Sequence, residues 1–298
     1  MNLVRARNLD PNRTLKLYAI ERLLFRLSRS RHRDRFILKG AMMFAIWDAR
    51  IHRPTQDMDL LWCGNMSTES VREMFVQIIE TPVEPDGLVF DKDSIAVEDI
   101  RAEDEYVGKR LMILAKLGTA KITVQIDIGI GDAVEVPFKV EKFPTLLSFP
   151  SPEILTYTKE PMIAEKFQAM VERGMGNSRM KDYFDIWTLT RHFPFDAGIL
   201  RKSIEATFSR RSCPMPLKMP VGLTAEFGEA RDKGAQWKGF LRRIGAKHEK
   251  SFPEVVADIA DFLCPVLFPS EVKLPSAMEW NPKTSRWEDK SKQTKKKG

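Results

Sequence analysis

The first clear rhythm in the chain is helical. Between residues 12 and 33, Leu15, Tyr18, Ile20, Leu23, Leu24 and Leu27 recur on one side of a basic segment, which predicts an amphipathic helix. Phe36 to Leu38 form a short apolar run, followed by Gly40 and a second apolar stretch from Ala41 to Ala49. That order predicts a strand, a glycine turn and a helix. RPTQDMDLLW, residues 53–62, supplies another strand with Pro54 just ahead of it. STESVREMFVQIIE, residues 67–80, opens on a Ser or Thr cap and continues at helical spacing.

From about residue 88 to 140 the pattern changes to β, with Val- and Ile-rich runs separated by turn residues. In ITVQIDIGI, period 2 sends Thr123, Gln125 and Asp127 to one face and Val124, Ile126 and Ile128 to the other. PFKVEKFPTLLSFPSP is a proline-punctuated connector, and the domain boundary is placed within it, near residue 150. Beyond it, apolar recurrence predicts a helical domain over 151–275, and 276–298 is a polar, basic tail expected to be disordered. The fold class is therefore α/β, a mixed sheet flanked by helices and followed by a helical C-terminal domain.

An apolar fraction of 43% with 30% charged residues over 298 positions suits a soluble globular chain with a substantial core. No run approaches the roughly 18 apolar residues that span a bilayer. The first residues lack the apolar stretch of a signal peptide, so a cytoplasmic protein with no membrane partner is expected. Cys63, Cys213 and Cys264 are far apart and match no thiolate metal spacing. A metal here would be held by oxygen, as Mg²⁺ or Mn²⁺. The net charge of +7 leans toward a polyanionic partner, although part of the excess lies in KSKQTKKKG.

Candidate chemistry starts at Asp57 and Asp59, two carboxylates on one face of a strand. A lone pair of this kind occurs at the solvent end of many strands. Asp127 adds a third acid in an apolar strand, where an unpaired charge is costly. Lys39-Gly40-Ala41 adds a strand–glycine–helix turn whose backbone N–H groups suit a phosphate. Together these are the parts of a two-metal phosphoryl-transfer site, with two divalent ions between three carboxylates and an NTP as substrate.

LKGAMMFAIWDARIHRPTQDMDLLW resembles the first motif of the DNA-polymerase-β-like nucleotidyltransferases, and more narrowly the AbiEii/AbiGii toxin branch (the MenT type). Arg53, Thr55, Asp57, Asp59 and Leu60 match that branch position by position, and Asp127 falls where its third acid stands. Position 41 departs from it, with Ala where the family has Gly or Ser. MIAEKFQAM resembles the helix carrying a functional lysine, here Lys166. SRMKDYFDIWTL resembles a second element, here Arg179, Lys181, Asp182 and Asp185. The resemblance reaches to about residue 268.

The resemblance implies metal ligation by Asp57, Asp59 and Asp127 and nucleotide contacts from Lys39, Gly40, Ala41, Arg53, Thr55 and Lys166. Asp182 and Asp185, three apart on one helical face, would form an acid pair that orients Lys166 or the acceptor. Read from its own sequence alone, Lys166 is more simply a lysine extending from a helix edge. The resemblance further implies a bacterial toxin paired with an antitoxin, transferring NMP to a hydroxyl, with the tRNA 3′ end as acceptor. Arg26, Arg29, Arg31, Arg33 and Arg35 at one end, and Arg242, Arg243 and Lys247 at the other, are candidate RNA contacts. Two alternatives stay open: transfer to a small-molecule or protein hydroxyl, and a non-catalytic binding module on the same fold.

Overall fold

In the first half of the chain a one-sided helix and a mixed sheet bury their apolar faces against each other. In this computed structural model the described residues are 10–48, 55, 57–62, 67–100, 108–130, 138–246, 250–268 and 278–289. The chain divides into two compact units, residues 1–158 and 159–298.

The first unit opens with α1 (Pro11–Arg29), whose first turn is closed by Asp10 accepting from Arg13 N–H at 2.7 Å. It continues through β1 (Phe36–Lys39), a 3₁₀ turn at Gly40–Met42, α2 (Met43–Trp47), β2 (Asp57–Trp62) and α3 (Thr68–Ile79). Ser67 and Ser70 cap α3 reciprocally. Five strands complete the sheet: β3 (Leu88–Ile100), β4 (Gly108–Leu117), β5 (Ala120–Ile130), β6 (Phe138–Lys142) and β7 (Glu153–Tyr157).

The seven strands lie in the order β3-β4-β5-β2-β1-β7-β6. β2 runs parallel to β5 and antiparallel to β1, while β1 runs parallel to β7. Period 2 divides the central strands into two faces. Phe36, Leu38, Met58, Leu60, Trp62, Ile126 and Ile128 join Tyr18, Leu23, Leu24 and Leu27 of α1 in the main core. On the opposite face Ile37, Leu61 and Tyr157 form a small apolar cluster, and the site residues of this unit sit beside them.

Two connections differ from the sequence reading. The proline-punctuated segment contains β6, and the residues expected to begin the helical half contain β7. The reason is positional: Pro144, Pro150 and Pro152 fall between the two strands and interrupt neither. Because β7 pairs with β1, the unit closes at Thr158 instead of near 150.

A second departure concerns Arg26. It is buried, with Nη1 2.6 Å and Nη2 3.1 Å from the two carboxylate oxygens of Asp86, and Arg22 Nε donates to the same carboxylate at 3.1 Å. Burial pushes the Asp86 carboxyl up, but hydrogen bonds and charge from Arg26 and Arg22 hold it below its usual range. Arg26 is therefore part of the packing of α1 and unavailable as an RNA contact.

The second unit holds α4 (Lys159–Arg173), α5 (Met180–His192), β8 (Phe195–Asp196), α6 (Ala197–Arg210), α7 (Ala225–Glu229), α8 (Arg231–Ile244) and α9 (Phe252–Leu267). Tyr183 stacks on Phe227 and meets Phe252 edge-on, while Trp237 packs on Phe240 and Phe252. The expected disordered tail is in part a hairpin. β9 (Met278–Asn281) and β10 (Arg286–Asp289) pair with each other, and β9 pairs with β8. Its anchors are two tryptophans: Trp280 Nε1 donates to the Thr190 carbonyl at 2.6 Å and Trp287 Nε1 to the Phe262 carbonyl at 3.0 Å. Among the described residues no helix is long and apolar enough to cross a membrane.

Candidate active site

The face of the sheet away from the main core carries a row of charged groups. Strand register sets Asp59 of β2 opposite Lys39 of β1 on one side and opposite Asp127 of β5 on the other. Asp57 lies two residues before Asp59 on the same face, opposite Gln125. Its side chain is 49% exposed and 3.8 Å from Lys16 Nζ of α1. Asp57 is thus accessible to water at the head of the strand, which turns inward at Leu60.

The glycine turn fits directly against Asp59. Gly40 has φ +70°, and a methyl group built on it would come within 2.7 Å of Asp59 Cγ. Only glycine accepts both that conformation and that approach. Ala41 is buried, and α2 ends at Trp47, short of the predicted Ala49. Lys39 is only 7% exposed, its Nζ 5.7 Å from the centre of the Tyr157 ring. The Thr55 hydroxyl donates to the Asp57 carbonyl at 3.4 Å, which ties the approach segment to the strand.

Asp127 has a partner the sequence reading missed. Arg110 of β4 meets it with Nε 2.8 Å from Oδ1 and Nη2 2.9 Å from Oδ2, a two-pronged clamp, and Gln125 Nε2 lies 3.3 Å from Oδ1. A signal existed. The two-residue turn Gly118–Thr119 pairs Leu117 with Ala120, and counting back seven residues on each strand brings Arg110 opposite Asp127. Among the described residues no three acidic, histidine or cysteine side chains converge as a metal cage. The donor set on β2 is hard carboxylate oxygen and suits Mg²⁺ or Mn²⁺. Asp127, turned to Arg110, fits a third ligand less well.

The second unit carries its own constellation. Lys166 of α4 places Nζ 2.7 Å from Asp182 Oδ1 and 2.8 Å from Asp185 Oδ2, both on α5. Arg179 Nε reaches Asp182 Oδ2 at 2.6 Å. Both carboxylates are fully buried, whereas the lysine keeps 13% exposure. Burial pushes the Asp182 carboxyl up, but Lys166, Arg179 and Lys181 outweigh it and hold it far below its usual range. The two acids therefore hold Lys166 from beneath, and the lysine is the member of the trio that solvent reaches.

The other predicted contacts are scattered. Arg29, Arg31, Arg33 and Arg35 are exposed where α1 ends and β1 begins. Arg31 donates to Gln77 Oε1 at 2.6 and 3.1 Å, Arg33 lies 3.3 Å from Asp34, and Arg35 lies over the Trp62 ring. Arg242 and Arg243 are exposed in the last turn of α8. Arg53, Lys247 and Cys63 lie outside the described residues.

Two crystal structures from Helicobacter pylori are similar at low identity. One is a protein assigned provisionally as a nucleotidyltransferase, at 14% identity and TM-score 0.41, covering 80% of this chain and 100% of that one. The other is JHP933, at 13% identity and TM-score 0.41, covering 80% of this chain and 95% of that one. A search of curated protein sequences finds no match. The sequence profile of the nucleotidyl transferase AbiEii toxin family, of type IV toxin–antitoxin systems, matches residues 22–258. Motif and profile agree, and the chain belongs to the AbiEii nucleotidyl transferase toxin family.

Proposed function

We propose that this toxin-family nucleotidyltransferase moves a nucleoside monophosphate from an NTP to the 3′-terminal hydroxyl of tRNA and so halts translation. The observation that carries the reading is the register that sets Asp59 between Lys39 and Asp127, with Gly40 against it. Asp57 and Asp59 would hold Mg²⁺ or Mn²⁺ through carboxylate oxygens. When bound, such an ion neutralises the triphosphate and lowers the pKa of the attacking hydroxyl.

This chain's own groups do the rest. The Gly40–Met42 turn brings backbone close to Asp59, where phosphate oxygens are to be placed. Lys166, fixed by Asp182 and Asp185, keeps the role the resemblance implies, a cation for the triphosphate. The exposed arginines between Arg29 and Arg35 support a polyanionic acceptor. The family implies an antitoxin as the partner that restrains the activity.

The test is direct. The protein is incubated with each labelled NTP, Mg²⁺ and total tRNA, and label should enter tRNA and be abolished in Asp59→Ala. Induction of the wild type should arrest growth, and Asp59→Ala should relieve the arrest. Label entering protein or a small molecule would move the reading to another hydroxyl acceptor. No incorporation anywhere would overturn it.

A further inference from the structure

α8 turns to solvent a face made of cations and small residues. The helix holds five cations and one acid in its 14 residues. A turn of about 100° per residue sets Arg231, Lys238 and Arg242 within about 40° of one another, and all three are exposed. Ala235 lies among them, with Gly234 and Gly239 on either border. The opposite side carries Lys233, Trp237 and Phe240, all buried. We propose that the exposed face holds the phosphate backbone of the acceptor RNA. This rests on the polyanionic acceptor of the reading above and assigns it a surface in the second unit.

The fold itself does not account for these charges. Lys233 and Arg243 belong to the packing: Lys233 Nζ lies 3.1 Å from Asp232 and 5.2 Å from the centre of the Phe227 ring, and the Arg243 guanidinium lies 6.0 Å from that of Phe240. Asp232, the one acid of the helix, is thereby engaged. No ion pair among the described residues involves Arg231, Lys238 or Arg242. A cation in the last turn suits the helix dipole, which serves for Arg242. Arg231 stands in the first turn, where the same dipole opposes it.

The glycines point the same way. Glycine is the poorest helix former after proline. A methyl group built on Gly234 or Gly239 would meet nothing within 4 Å, so packing within the chain demands neither. With Ala235 they leave a low, open surface beside the cations, which another backbone can approach closely.

The chemistry of the face selects the partner. It offers no aromatic or large apolar anchor on which a protein interface would centre. The apolar side that a membrane-surface helix would need is buried at Trp237 and Phe240. A row of cations on long stems matches a strand of phosphates, whose contacts position RNA without reading its sequence. The pair expected from sequence is thus divided: Arg242 meets the RNA, and Arg243 lies toward Phe240.

The test is filter binding of tRNA to the full-length protein at a series of salt concentrations, without NTP. Arg231→Gln, Lys238→Gln and Arg242→Gln together should shrink the slope of log affinity against log salt by about two to three. Lys218→Gln, Lys283→Gln and Arg286→Gln together remove the same charge from exposed positions elsewhere in the unit and should leave the slope at the wild-type value. Ala235→Glu puts an acid into the row through a good helix former. It should weaken binding without lowering the melting temperature, and it decides should the α8 triple variant not fold. An unchanged slope in that triple variant, an equal loss in the matched one, or displacement of tRNA by polyglutamate as readily as by RNA would each overturn the assignment. Label transfer with an unaltered KM for tRNA in the α8 triple variant would count against this surface alone. Bound tRNA that takes no label would count against the proposed reaction and leave the surface standing.

Discussion

Gly40 and Asp59 approach so closely that a methyl group on Gly40 would stand 2.7 Å from Asp59 Cγ and 2.8 Å from its Cβ. The turn and the acid are thus a single construction. Gly40→Ala should cost about 1–2 kcal/mol from the left-handed backbone alone. The added methyl should also push the carboxylate out of the row, so nucleotide transfer should fall much further than stability does. Thermal melts and transfer assays on the same preparation check this. A variant of unchanged activity would show that Asp59 need not stay where it is.

Lys166 and its two buried acids should behave as one unit. Removing one partner of a buried ion pair leaves a charge without compensation, at about 3–5 kcal/mol. Lys166→Ala and Asp185→Ala should both lie in that range by denaturant titration. Lys166→Met combined with Asp182→Asn and Asp185→Asn should recover much of the loss while remaining inactive, because the buried charges leave together. Recovery of transfer in that triple variant would remove Lys166 from the chemistry.

The same cluster fixes an acid limb. The folded-state pKa of Asp182 lies below its unfolded value, so its ionised form contributes stability in full above about pH 4. That contribution is lost as pH falls from there toward the folded pKa. Asp182→Asn should therefore flatten the stability profile below about pH 4 while lowering stability at neutral pH. The check is urea unfolding at a series of pH values. A parallel downward shift, with the acid limb intact, would assign that limb to other groups.

The strands bearing Asp57, Asp59 and Asp127 were legible because period 2 and apolar neighbours survive in any sequence reading. Gly40 was legible as a turn, but its contact with Asp59 depends on how β1 and β2 align. Lys166, Asp182 and Asp185 were legible as a group only through resemblance, since two helices must pack before they meet. Arg110 was hidden for a simpler reason: its pairing with Asp127 is set by the register that the Gly118–Thr119 turn imposes, not by the apolar pattern of either strand. β6 was hidden because its flanking prolines read as one long connector, and β7 because its five residues run straight into the helical recurrence that follows them.

Arg26 and Arg35 separate packing from recognition. Arg26→Ala should lower stability through its buried pair with Asp86, by about 3–5 kcal/mol, and leave the salt dependence of RNA binding unchanged. Arg35→Ala should leave stability within about 0.5 kcal/mol. If Arg35 meets a phosphate, the slope of log affinity against log salt should shrink by about one contact's worth. Filter binding of tRNA at several salt concentrations, beside melts of both variants, reads the two effects apart. An unchanged slope in Arg35→Ala would assign that arginine to the Trp62 ring it covers.

The C-terminal hairpin should be structural in spite of its polar sequence. Trp280 is 3% exposed, meets Phe262 at 4.9 Å between ring centres, and places its N–H on the Thr190 carbonyl at the end of α5. Truncation before Met278 removes β9 and β10 together and bares Phe195, Phe262 and the Thr190 carbonyl. It should therefore destabilise at least as much as Trp280→Ala, for which about 3–5 kcal/mol is expected. Trp280→Phe keeps the ring packing and loses the hydrogen bond, which leaves the Thr190 carbonyl without that donor and should cost about 1–3 kcal/mol. Denaturant melts of the three variants rank the contributions. Equal stability of the truncated and full chains would show that the hairpin adds nothing to the fold it covers.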